Sequence, residues 1–110
     1  PGAAAAELFD AGLGQSADFP AGGIGGRIAL VQRGQSTFGD KARNAHAAGA
    51  AAVVIYDPAG DIILGRLTGQ VPPIPVVSIP GSEGLRLRDL LKQGAVRLVV
   101  SFEGGMEQTT

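Results

Sequence analysis

The residues that could do chemistry in this chain are few and far apart. His46 is the only histidine and there is no cysteine. A serine–histidine–acid relay would need His46 beside a serine held in a tight strand-to-helix turn. Ser16, Ser36, Ser78, Ser82 and Ser101 all lack that setting, and Ser36 and Ser82 have a simpler role at the starts of helical stretches. A structural zinc needs about four ligands rich in Cys or His, so His46 reads as a solvated or hydrogen-bonded helix residue. Asp57 and Asp61 could face each other across a turn, but calcium takes about six to eight oxygens. Gly12-Leu13-Gly14-Gln15-Ser16-Ala17 matches G-x-G-x-x-A. A dinucleotide loop requires a buried strand before it and a helix after it; a weak segment precedes this one and Asp18-Phe19-Pro20 follows. No catalytic, cofactor-binding or metal-binding residue is therefore expected. Arg33 remains. Its planar fork suits either a carboxylate or backbone ligand or the satisfaction of carbonyls at a strand end, and both readings stay open. Lys41 and Asn44, three apart, are expected to bond to an adjacent loop.

The elements that must position these residues are clearest in residues 27–57, RIALVQRGQSTFGDKARNAHAAGAAAVVIYD. Ile28 to Gln32 is an apolar run without alternation, which suggests a strand covered on both faces. Arg33-Gly34 ends it. Thr37 followed by Asp40 has capping-box form, so a helix is expected from about Phe38. Phe38, Ala42, Ala45 and Gly49 form one helical stripe of mostly small residues, which lets the helix lie close on a sheet. Gly49 is placed to end it. Ala52 to Tyr56 is a second apolar run. Strand, helix and strand make a right-handed crossover with parallel strands.

Outside that stretch the signals are weaker. Residues 1–6 are expected to be loose or a short edge, and 7–10 a short strand. Gly22, Gly23, Gly25 and Gly26 mark a turn into the first buried strand. Residues 57–61 form a turn. Residues 62–73 make a long connection with Ile62, Ile63, Leu64, Leu67 and Val71. It either packs on its own core or presents apolar surface to a partner, which makes Ile63, Leu64 and Leu67 candidate contacts. Val76 to Ile79 is a third strand between prolines. Ser82 is expected to cap a second helix with Leu87, Leu90 and Leu91 inside and Gly94 past its end. Residues 96–102 alternate as a half-exposed strand, and 104–110 form a loose polar tail.

At 110 residues the chain is expected to be one domain. It is 45% hydrophobic and 17% charged, which fits a globular core and not a disordered chain. A formal net charge of −1 offers no field for nucleic acid or an anionic membrane. No apolar run nears the ~18 residues of a membrane span. Without cysteine, disulfides and thiolate chemistry are excluded. The chain begins at Pro1 and its one methionine is Met106, so it is expected to be a piece of a larger protein.

Two separated blocks carry a resemblance. IALVQRG-x-S-T-F-x-x-K-x-x-N-A-x-x-A-G-A-x-x-V-V-I-Y, followed by I-P-V-V-S-I-P-x-x-x-G-x-x-L, resembles the protease-associated (PA) domain over residues 28–100. Many members carry a paired cysteine where Ser36 stands, so any such disulfide is absent here. The resemblance implies an α/β fold, a compact curved β-sandwich or open barrel flanked by two helices. It implies a non-catalytic accessory domain of a secreted peptidase, extracellular or periplasmic, that restricts substrate access and contacts protein. Its partners would be the parent catalytic domain and a polypeptide substrate or other protein. The tail MEQTT resembles the lead-in to the catalytic core of zinc aminopeptidases, which favours that parent over a subtilisin-like protease. The alternative is a lumenal cargo-binding domain of a sorting receptor. In such receptors cargo lies near the loop after the first strand of the motif, which matches Arg33, Gly34, Gln35 and Ser36.

Overall fold

The computed structural model describes residues 3–60, 73–101 and 106–109. Apolar runs fold into strands and small-residue stripes into helices, in the order β1 (Ala3–Asp10), β2 (Ile28–Gln32), α1 (Phe38–Ala47), β3 (Ala52–Tyr56), β4 (Val76–Ile79), α2 (Gly81–Leu91), β5 (Arg97–Ser101) and β6 (Met106–Gln108). The six strands form one sheet, β4-β3-β2-β1-β5-β6. Strands β1 to β4 are parallel, while β5 runs antiparallel to β1 and β6 antiparallel to β5. The sheet curls into a half-barrel. Leu98 and Val100 of β5 share one core cluster with Tyr56 of β3 and Val77 of β4.

The unalternating runs are explained by two cores rather than one. Ile28, Leu30, Ala52, Val54 and Tyr56 face the concave core, which α2 fills with Leu87. Ala29, Val31, Val53 and Ile55 face the other side, where Ala45 of α1 covers them. Successive strand side chains point to opposite faces, so a strand with a helix on each side has no polar face to show.

Helix α1 begins and ends where expected. Thr37 Oγ1 accepts the Asp40 N–H at 3.1 Å. Gly49 takes φ +85° just past the last turn, a conformation glycine adopts without the Cβ penalty. Helix α2 begins differently. It starts at Gly81 with Pro80 as the N-cap, so Ser82 is an exposed residue of the first turn and not the cap. The Pro80 carbonyl accepts from Glu83 and Gly84, and Gly81 N–H donates to the Gly60 carbonyl at 2.9 Å. The fixed φ of proline and this tether to the preceding turn set the entry without a side-chain cap. Gly84 lies so close to the sheet that a Cβ there would stand 2.2 Å from Tyr56 Cγ.

Both expected loose ends are ordered in part. Ala3 to Ala6 belong to β1, in the middle of the sheet. Ala3–Glu7 pair with β5 and Leu8–Asp10 with β2. Alanines carry too little hydrophobic contrast to signal a strand, and the pairing that makes one comes from β5 at the far end of the chain. Residues 106–108 pair with β5 as β6. Strand β5 matches its alternation, with Leu98 and Val100 buried and Val99 and Ser101 half-buried. The connection carrying Ile63, Leu64 and Leu67 lies outside the described residues.

Candidate partner-contact site at the turn after β2

Strand β2 delivers Arg33 to the end of the sheet, beside the end of β3. Gln32 is in register with Tyr56, so the residues that follow, Arg33 and Asp57, emerge side by side. Arg33 N–H donates to the Tyr56 carbonyl at 2.8 Å. Its guanidinium Nη1 lies 3.1 Å from Asp57 Oδ2, with the arginine side chain 59% exposed. Asp57 sits below the usual carboxylate range. The Ala59 N–H bonded to it is the main cause, partial burial works the other way, and the Arg33 guanidinium adds to the lowering.

The next residues form a tight turn. Ser36 N–H donates to the Gly34 carbonyl at 2.9 Å, and Gln35 between them has φ +71°. An i to i+2 bond around a positive φ is the rarer, strained kind of γ-turn. Gln35 is exposed and Gly34 half-buried. The Ser36 hydroxyl is enclosed and finds no hydrogen-bond partner among the described residues.

The turn is held from beneath. Lys41, on the first turns of α1, is 0% exposed. Its ammonium donates to the Gly34 carbonyl at 2.5 Å and also to the Leu13 carbonyl. One turn further on, Asn44 Nδ2 donates to the Gly14 carbonyl at 3.1 Å. Burial lowers the pKa of Lys41, and the negative charge of Asp18 acts against that. Lys41 and Asn44 thus bond to loops, as their spacing suggests.

The G-x-G-x-x-A segment follows a genuine strand, β1, but leads into a 3-10 turn at Ser16–Asp18. Three of its amides are already used. Gly12 N–H donates to Asp10 Oδ1, Gly14 N–H to the Ala11 carbonyl and Gln15 N–H to Asp18 Oδ2. It offers α1 its carbonyls, the opposite polarity to a phosphate cradle. His46 is exposed on α1. No three His, Asp or Glu side chains gather at metal-binding spacing among the described residues.

The turn therefore brings together Arg33, Gly34, Gln35 and Ser36, and adds Asp57, Lys41 and Leu13. The Arg33–Asp57 pair was readable in principle, since adjacent parallel strands end together there. Nothing local in the sequence marks the carbonyls of Leu13 and Gly14 as partners of α1.

Comparison with known proteins places this geometry in a family. The family profile described as "PA domain" matches residues 2–87. The chain is 44% identical over 81 residues to the aminopeptidase YwaD of Bacillus subtilis, covering 72% of this chain and 18% of that protein. It is 34% identical over 93 residues to the minor extracellular protease Vpr of the same organism, covering 83% of this chain and 11% of that one. The solved zinc aminopeptidase BSAP from Bacillus subtilis superposes with a TM-score of 0.70 at 37% identity, over 96% of this chain and 26% of that chain. The chain spans less than a fifth of these two curated relatives, and by profile, sequence and fold it belongs to the PA-domain family.

Proposed function

We propose that residues 1–110 form one PA domain acting as a non-catalytic accessory domain of a secreted peptidase. It contacts polypeptide substrate or a protein partner at turn 33–36 and restricts access to a catalytic centre outside these residues. The parent is a zinc aminopeptidase in preference to a subtilisin-like protease, and it works outside the cytoplasm. Ile63, Leu64 and Leu67 are further contact residues in this proposal. Peptidase relatives support the first part of this reading, and no relative described above favours a cargo receptor. The observation that carries the contact is Arg33. Its guanidinium stands exposed at the sheet end with one Nη1 bond to Asp57, and a guanidinium has five N–H donors in a planar fork. The remaining donors suit a carboxylate or the carbonyls of an extended peptide.

The test is kinetic and uses the full-length parent enzyme. Arg33→Ala should raise KM for polypeptide substrates about tenfold, the scale of one lost charge-assisted hydrogen bond, and leave short chromogenic substrates unchanged. Equal kinetics on long and short substrates would remove the contact. Turnover by the purified 110-residue chain alone would remove the accessory reading.

A further inference from the structure

A buried lysine normally bonds to a carboxylate, because an ammonium taken out of water is costly unless paired. Lys41 is near enough to Asp18 to feel its charge but makes no ion pair with it. It is 0% exposed, yet its hydrogen bonds run to the backbone carbonyls of Leu13 and Gly34. These carbonyls belong to two loops about twenty positions apart in the chain. One is the segment between β1 and the 3-10 turn, the other is turn 33–36. Asn44 repeats the arrangement one helical turn on, with the Gly14 carbonyl.

The Gly34 carbonyl also accepts the Ser36 N–H that closes the strained turn around Gln35. One oxygen thus serves the ammonium and the turn together. A positive φ at a non-glycine residue persists only where its surroundings over-determine it, and the ammonium supplies that constraint. The two loops also touch at the surface. A Cβ on Gly34 would lie 3.5 Å from Leu13 Cδ2, with Gln15, Arg33 and Gln35 exposed around them.

We infer that the Lys41 ammonium is an internal cation that locks the loop at Leu13 to turn 33–36, so that the two present a single composite contact surface for an extended polypeptide. Lys41 is a positioning residue, since it is buried and acts through Gly34 and Leu13. The polypeptide part rests on the function proposed above; the lock does not. The partner would lie across Leu13 and Gln15 as well as Arg33 and Gln35. A point charge on a flexible stem can serve two converging carbonyls, whereas a planar guanidinium is longer and forked. Lys41→Arg is therefore not a conservative change here.

The experiment compares wild type with Lys41→Met, which keeps the apolar stem, and Lys41→Ala, which opens a cavity. Amide shifts should move in both loops at once, at Leu13–Gln15 and at Gly34–Ser36, and hydrogen exchange there should rise about tenfold, the scale of one lost hydrogen bond. Ethylammonium chloride should restore both loops in Lys41→Ala, and propanol should not. A change confined to one loop would overturn the lock, as would equal rescue by propanol, which would reduce Lys41 to space-filling. Should neither variant fold, the wild-type side chain decides. A slowly exchanging Lys41 Nζ signal supports the lock and one exchanging like a surface lysine contradicts it. An unstructured alanine–leucine–serine heptapeptide tests the contact separately. It should shift both loops in wild type and bind Lys41→Met about tenfold more weakly. A heptapeptide that leaves wild type unperturbed while both loops still move together in Lys41→Met supports the lock and defeats the contact.

Discussion

Arg33 and Lys41 are two cations with opposite environments on one turn. Arg33 is exposed and its bond to Asp57 is a surface pair, which water and salt weaken. Lys41 is buried and its bonds to Gly34 and Leu13 are shielded. The first is suited to exchange partners, the second to hold shape. Asp57 gives the pair a pH dependence of definite sign. Its pKa is lowered in the folded chain, chiefly by the Ala59 N–H. The stability this supplies is complete above the unfolded aspartate value of about 3.9 and is lost as pH falls through the lower folded value. Acid unfolding followed by circular dichroism should therefore show Asp57→Asn converging with wild type below about pH 4. A gap that stays constant at lower pH would assign the effect to packing and not to charge. At this scale the sequence marks Arg33, Lys41 and Asn44, because each has a polar group at a strand end or along one helix face. It does not mark Leu13 or Gly14, because a carbonyl has no residue signature.

At the level of elements, the close approach of α2 to the sheet depends on the absence of a side chain. Gly84 faces Tyr56, itself 1% exposed, and a Cβ would fall 2.2 Å from its ring. The tyrosine is buried on all sides and has no room to retreat, so Gly84→Ala should cost about 1–3 kcal/mol by overpacking. Urea unfolding at equilibrium measures this, with the midpoint moved and the slope unchanged. A neutral Gly84→Ala would mean that α2 can slide away from β3. The limits of α1 are legible because Thr37 and Gly49 act through their own side chain and backbone. The start of α2 is not, because the tether from Gly81 to Gly60 depends on where the preceding turn comes to lie. Ser82 has the chemistry of a cap but not the position.

For the whole molecule, the middle of the half-barrel is built where the two ends of the chain meet. Residues 3–7 pair with β5, and β5 in turn holds β6. The parallel strands β2 and β3 could be read from local pattern, as could the helix between them. The place of the alanine run could not, since it follows from pairing across most of the chain length. The same distinction separates the two parts of the functional reading. The family is legible in blocks of sequence and is met again in the profile over residues 2–87. The proposed contact surface rests on two loops converging over α1, and that convergence has no local sequence signal.

The function proposed above has this domain meeting polypeptide at the end of its sheet and performing no chemistry there. Heteronuclear NMR of the chain during titration with the unstructured heptapeptide tests it most directly. Fast-exchange shifts centred on residues 33–38 with a second set at 13–15 are expected, both abolished or strongly reduced in Arg33→Ala, with the peptide intact at the end of the titration. Shifts centred elsewhere on the sheet, no shifts at all, or cleavage of the peptide by the chain would contradict it.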